Sequence, residues 1–204
     1  MNWIKDFIPT IKRNISQTFG EEKDSKIPEG LWRSCDSCGS ILYIPELKKN
    51  SYVCSKCSHH FKINVKERIE VTFDKGSYKD LNKTEAFKDY LKFKDIKKYK
   101  DRFQDARNKT ECDEALSIGV GTIKGKKVVS AMFEFDFLGG SMGAIVGKRF
   151  AAAVDYAVKN SHPLIVFSTS GGARMQESMI SLFQMGKTAA AVKKLKNENL
   201  PYIS

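Results

Sequence analysis

No apolar run in the 204 residues approaches the roughly 18 that a membrane-spanning helix requires, and the N-terminus shows no compact apolar segment of the secretory-signal kind. The composition is not that of a wholly disordered chain either: 41% of the residues are hydrophobic and 11% aromatic, enough to bury a core. Nucleotide motifs are missing as well. Gly143 to Gly147-Lys148-Arg149 is one residue short of a P-loop and lacks its Ser/Thr, and Ser181 stands where the first glycine would precede Gly186-Lys187-Thr188. Gly119, Gly121 and Gly125 miss the dinucleotide spacing, and Ser170 has two glycines after it but no G-x-S-x-G elbow. These absences argue against nucleotide hydrolysis, a Rossmann cofactor and a serine hydrolase, and they leave a cytoplasmic protein of one large or two small domains as the expectation.

What is present is an excess of positive charge, a formal +11 that is unevenly spread. Residues 1–110 carry 24 basic and 16 acidic side chains, against 11 and 8 in residues 111–204. Such a balance suits nucleic acid, an acidic partner or a phosphate-bearing small molecule, and charge alone does not choose among them.

Four of the five cysteines form two tight pairs, Cys35-x2-Cys38 and Cys54-x2-Cys57, with fifteen residues between them; Cys112 stands apart. A C-x2-C knuckle points two thiolates at one ion, so this spacing reads as a zinc ribbon in preference to disulfides or a redox pair. Gly39 follows the first pair and Lys56 lies inside the second. His59 and His60 are read as bystanders, because four cysteines already complete a tetrahedral shell. One Zn²⁺ per chain with no open position is structural, and its binding energy becomes folding energy.

Upstream, Ile4, Phe7, Ile8, Ile11, Ile15 and Phe19 recur at helical spacing around Pro9, which reads as an N-terminal arm, and residues 20–30 read as a linker. Downstream, Val65, Ile69 and Phe73 fit a helix ended by Gly76, and residues 79–109 interleave lysines with Phe87, Tyr90, Leu91, Phe93, Ile96, Tyr99 and Phe103. That interleaving suits base stacking, or, preferred here, helices whose aromatic face packs on a neighbouring domain. The expected layout is an arm and linker over 1–30, a ribbon over 31–63, a helical linker over 64–112 and an α/β domain over 113–204.

In that last segment Ser117–Ile123 and Val128–Phe135 read as a hairpin around Lys124-Gly125-Lys126, followed by a helix over 148–160 and a buried strand Leu164-Ile165-Val166-Phe167. Ser170-Gly171-Gly172-Ala173-Arg174 then turns into a helix over about 175–196, and Leu200–Ser204 begins another strand. A strand that turns through two glycines into a helix N-terminus exposes main-chain N–H groups able to hold an anion, such as the enolate oxygen of a thioester. Glycine geometry alone leaves this evenly balanced against an ordinary turn.

The residues also carry a resemblance. The ribbon led by Ile27-Pro28-Glu29-Gly30-Leu31-Trp32, the segment Leu91 to Arg102, Phe133-Glu134-Phe135 with Gly139-Gly140-Ser141-Met142-Gly143, Ser168 to Glu177 and Leu200-Pro201-Tyr202-Ile203-Ser204 together resemble the bacterial acetyl-CoA carboxylase carboxyltransferase beta subunit family. The resemblance spans about Trp3 to Ser204. It implies an α/β fold in which a four-cysteine zinc ribbon precedes part of a crotonase-like ββα spiral domain. It also implies transfer of a carboxyl group from carboxybiotin on the biotin carboxyl carrier protein to acetyl-CoA, giving malonyl-CoA for fatty-acid synthesis. The implied partners are an alpha subunit in an α2β2 complex, the carrier protein and biotin carboxylase.

By the same resemblance Cys35, Cys38, Cys54 and Cys57 hold Zn²⁺, Gly171, Gly172 and Ala173 border the thioester as backbone donors, and Gly139, Gly140 and Gly143 shape the CoA-side loop. Arg174 meets a CoA phosphate or, as preferred, pairs with a carboxylate such as Glu177. Family members continue past the Tyr-Ile-Ser strand into a second glycine pair, so the expectation is a fragment of a longer product that is inactive by itself. Two other readings stand beside the enzyme: a ribbon module that binds RNA or DNA through its basic half, and a non-catalytic assembly subunit.

Overall fold

Two C-x2-C turns organise the front of the chain, which the computed structural model describes over residues 30–169 and 171–204. The N-terminal arm, nearly all of the expected linker and Ser170 lie outside the described residues. Strand β1 (Trp32–Ser34) pairs antiparallel with β2 (Ile41–Tyr43), and the short helix α1 (Ile44–Lys49) leads into the second turn. Cys35 and Cys54 are buried with Leu42, Leu47, Tyr52 and Phe61. So small a core needs a cross-link or a metal to stay folded.

Helix α2 (Val65–Thr72) starts at a capping box, in which the Asn64 side chain takes the Glu67 N–H while the Glu67 carboxylate takes the Asn64 N–H. It stops at Thr72, one turn before the expected Gly76, and the chain then forms β3 (Lys79–Asp80). Residues 81–98 contain no helix; helicity returns only in α3 (Tyr99–Thr110). The expected helical linker over 64–112 is thereby corrected. It contributes an edge strand and two core elements to the domain that follows.

The reason lies in local hydrogen bonding. Asp80, Asp89 and Asp95 accept the backbone N–H groups of Asn82, Phe93 and Lys97, satisfying donors that a helix would otherwise use. The aromatic residues do pack inward as expected: Phe87, Tyr99, Phe103 and Phe137 meet ring to ring in the main core. Tyr90, Leu91 and Ile96 remain exposed.

The main sheet has the order β3-β4-β5-β6-β7. Strands β4 (Leu116–Ile123) and β5 (Lys126–Phe133) form the expected hairpin around Lys124-Gly125, and β3 pairs antiparallel with β4. Helix α4 (Ala144–Lys159) carries the chain to β6 (Leu164–Phe167), and α5 (Met179–Asn197) carries it to β7 (Tyr202–Ile203); β5, β6 and β7 run parallel. Helices α3, α4 and α5 share one core with the sheet, and Val65 and Phe73 join Val128 and Met132 in a second cluster. Strand β5 is buried from Val128 to Met132, as a central strand between two apolar layers should be. Gly119 and Gly121, which fit no nucleotide motif, have a packing role: a Cβ at either would enter the ring of Tyr78 or Phe73.

Candidate functional site

The two cysteine turns are near-copies of each other. Gly39 N–H donates to Cys35 C=O and Cys35 N–H to Ser40 C=O, both at 2.9 Å; Ser58 N–H donates to Cys54 C=O at 2.9 Å and Cys54 N–H to His59 C=O at 2.8 Å. Each turn needs one left-handed residue, supplied by Gly39 (φ 71°) and Ser58 (φ 59°).

The four Sγ atoms lie within 4.8 Å of one another, with Cys35–Cys57 at 3.7 Å and Cys38–Cys54 at 3.9 Å. Sulfurs placed tetrahedrally about 2.3 Å from Zn²⁺ are about 3.8 Å apart, which these two separations match. Bonding with the Ser40 hydroxyl, then with its backbone, draws the Cys38 thiol down to about 6, whereas Cys57 in the same cluster is raised to about 11. Lys56 acts through its main chain, its N–H lying 3.4 Å from Cys54 Sγ. His59 rests edge-on to Phe61, and neither it nor His60 joins the cluster.

Beyond the ribbon, the buried Glu134 carboxylate accepts the Val65 N–H at 3.1 Å, and Lys62 pairs with Asp136 at 2.7 Å. Phe133-Glu134-Phe135 thus fastens the ribbon's exit to the sheet.

At the carboxyl end of β6 two glycine loops meet. Gly171 N–H donates to Gly139 C=O at 2.7 Å, Met142 N–H to Gly172 C=O at 2.8 Å, and Arg174 N–H to Met142 C=O at 3.0 Å. Gly139, Gly140 and Gly172 have φ of 68°, 66° and 93°, a region in which a side chain is strained. Gly171 and Gly172 are exposed to solvent while bonded to the facing loop. Met142, which is bonded to Gly172, also lines an apolar cavity of about 510 Å³ with Val166, Ser168 and Met185.

Two details differ from expectation. A 3-10 turn (Met175–Glu177) intervenes, so α5 begins only at Met179 and the glycines do not open directly onto its N-terminus. The Gly171 N–H, expected as an anion donor, is spent on holding the loops together. Gly143 is buried for a packing reason, since a Cβ there would strike the Glu177 carboxylate.

Arg174 follows the preferred carboxylate-pairing alternative, with Glu114 as its main partner. It is 1% exposed, out of reach of a phosphate in solvent. Its Nη2 lies 2.5 Å from Glu114 Oε1, its Nη1 3.0 Å from Glu114 Oε2, and Nη2 also donates to Ser141 C=O at 2.7 Å. Glu177, the partner preferred from sequence, is farther, at 3.5 Å, and its carboxylate is occupied elsewhere. Glu177 accepts the Ala144 N–H and the Tyr99 hydroxyl, both at 2.7 Å, and so caps α4 from a distance. Burial pulls the Arg174 guanidinium down, but Glu114 more than offsets this and leaves it above the ordinary arginine value. Burial, foremost, pushes the Tyr99 phenol well up, keeping it a neutral donor.

The structure therefore brings Gly139, Gly140, Gly171, Gly172, Ala173 and Arg174 together and leaves the four cysteines as a separate centre. Sequence reading missed Glu114, Tyr99 and Ser141. Only the placement of Glu114 directly before the apolar Ala115-Leu116 hints that its carboxylate is buried.

A carboxyl transferase domain model matches residues 62–204, and an acetyl-CoA carboxylase zinc finger domain model matches residues 32–57. Among solved structures, the fold is similar to transcarboxylase 12S with methylmalonyl-coenzyme A and methylmalonic acid bound, at 26% identity and a TM-score of 0.52 over 66% of this chain and 24% of that one. A second transcarboxylase 12S structure, with hydrolysed methylmalonyl-coenzyme A, matches at 25% identity and 0.50, over 66% and 24%. A Pseudomonas malonate decarboxylase hetero-tetramer in complex with malonate gives 21% and 0.49, over 67% and 48%. The chain spans about a quarter of the transcarboxylase chains it matches. A four-cysteine ribbon followed by a crotonase-like α/β domain is the architecture expected from sequence.

Proposed function

This chain belongs to the carboxyl transferase domain family, and we propose that it serves as the beta subunit of an acetyl-CoA carboxylase carboxyltransferase. In this reading a carboxyl group passes from carboxybiotin on a carrier protein to acetyl-CoA, giving malonyl-CoA for fatty-acid synthesis. The activity is assigned to a cytoplasmic holoenzyme with an alpha subunit, the carrier protein and biotin carboxylase, and not to these 204 residues alone.

The observation that carries the reading is the main-chain surface formed where Gly171-Gly172 lies against Gly139 to Met142. Carboxyl transfer asks a protein for alignment and for charge stabilisation at the thioester oxygen. The C2–H bond of acetyl-CoA breaks, a C2–carboxyl bond forms, and the ureido nitrogen of carboxybiotin gives up the carboxyl group and takes the proton. Residues Gly172 and Ala173 would border the thioester, Gly139 and Gly140 would shape its neighbouring wall, and Gly171 would lock the two loops. The four cysteines would hold Zn²⁺, whose part is to keep the ribbon folded.

A free-standing nucleic-acid module over residues 25–110 has less support, because β3 pairs with β4 and Tyr99 and Phe103 are embedded in the domain core. The test is carboxyl transfer by the holoenzyme with Gly171→Val, whose side chain would crowd the Gly139 carbonyl 3.1 Å from its Cβ. Displacing the loops should lower transfer by on the order of 10², with zinc content and complex formation unchanged. A wild-type rate in that variant would overturn the reading and favour an assembly subunit.

A further inference from the structure

We infer that Arg174 is a positioning residue that couples the two glycine loops, acting as a strut from beneath, with Glu114 as its anchor. The inference rests on the carboxyl-transfer reading for its catalytic consequence only; the coupling stands on geometry.

Arg174 is tied to the 139–143 loop twice. Its backbone N–H binds Met142 C=O at 3.0 Å, while its side chain turns under the same segment, where Nη2 binds Ser141 C=O at 2.7 Å and Nε lies 3.2 Å from Ser141 Oγ. Two residues upstream, Gly172 C=O receives the Met142 N–H. The exposed glycines are therefore the outer surface of a clamp whose inner surface is one planar guanidinium. Only a rigid fork of donors can reach Glu114 and Ser141 together, which a point charge cannot do.

The anchor is fixed independently. The Glu114 carboxylate also accepts the Ala115 N–H at 2.8 Å, at the entry to β4. On the far side Arg174 Nη1 lies 3.2 Å from the Tyr99 hydroxyl, which donates to Glu177, the acceptor of the Ala144 N–H at the start of α4. The main-chain surface that would meet the thioester is thus referenced to the sheet, to α3 and to α4 through buried charged bonds. A shift of either loop breaks a bond that no water replaces, because both side chains of the Arg174–Glu114 pair are 0% exposed.

Removing Arg174 alone would strand a buried carboxylate, so the informative variant is Arg174→Met with Glu114→Leu, which removes both charges and retains volume. In this chain, amide exchange at positions 171, 142 and 174 is read by NMR. The expected result is a joint rise of about tenfold or more at these three amides, with the Val129 and Ala131 amides of β5 unchanged. No change at the three, a rise confined to one loop, or an equal rise throughout the sheet would each overturn the coupling.

In the holoenzyme the double variant should lose about tenfold or more in kcat per folded complex, with KM for acetyl-CoA within about threefold. Arg174→Lys, which keeps the charge without the fork, should recover stability but not the exchange protection or kcat. Full recovery by lysine, or an unchanged kcat in the double variant, would overturn the positioning role. A wild-type holoenzyme without carboxyl transfer would overturn the functional reading instead, and the exchange result would still decide the coupling.

Discussion

In the ribbon, four sulfurs come from two turns separated by fifteen residues, each turn closed by its own main-chain bonds. In the α/β domain, the groups beneath the glycine loops come from Tyr99, Glu114, Ser141, Arg174 and Glu177, drawn from separate elements along the chain. The first centre is assembled locally and waits for an ion to join its halves. The second is assembled only when the sheet and three helices have packed, and its one buried guanidinium is matched by the carboxylate of Glu114. A local centre should therefore fail alone, and a distributed one should fail with its surroundings.

The largest expected effect tests that independence. Chelation, or Cys54→Ser at a buried ligand, removes metal-linked folding energy on the order of 10 kcal/mol in isolated zinc peptides. Residues 32–61 should lose amide protection while β4, β5 and β6 keep theirs; loss of both regions together would show that the domain leans on the ribbon through Glu134 and Lys62.

Next in size is Arg174→Ala, which leaves Glu114 buried without its partner and should lower stability to urea by about 3–5 kcal/mol. The paired Arg174→Met, Glu114→Leu variant should lose far less, because both charges go together.

Overpacking comes third. Gly119→Ala would press a methyl into the Tyr78 ring and Gly143→Ala would press one against Glu177; each should cost about 1–3 kcal/mol by denaturant unfolding. The two differ in readout, since only the second disturbs the glycine loops.

Smallest is a pH effect at the β4–β5 turn. Bonds from the Thr122 side chain and then the Gly125 amide hold the Asp74 carboxyl below its ordinary value. A depressed carboxyl stabilises the fold above its unfolded pKa and ceases to as pH falls through the lower folded value. Exchange-protection of the Lys124 and Gly125 amides should thus persist at neutral pH and fade in acid, and Asp74→Asn should abolish that pH dependence while leaving the sheet intact.

Much of this architecture was legible in advance. The cysteine spacing announced its own centre, because a knuckle is local and its chemistry follows from the residue type. The hairpin and β6 were readable for the same reason, Leu164 to Phe167 being apolar throughout and Lys124-Gly125 able to take left-handed backbone. Residues 81–98 depart from the helical expectation because the aromatic spacing that suggests a helix is overridden locally by the Asp89 and Asp95 turns. For Arg174 a carboxylate partner was foreseeable, but its identity was not: Glu114 lies closer than the sequence-adjacent Glu177.

By itself the amino-acid sequence determined the metal-binding set, the α/β alternation and which glycines end β6, since each depends on neighbours within a few residues. Only the tertiary structure decided what those glycines rest on. Glu114 lies 60 residues from Arg174 and Tyr99 lies 75, and no periodicity announces a pair at that distance. Burial selected the partner: a guanidinium out of reach of water is stable only where a carboxylate and a carbonyl meet it, as Glu114 and Ser141 do for Arg174.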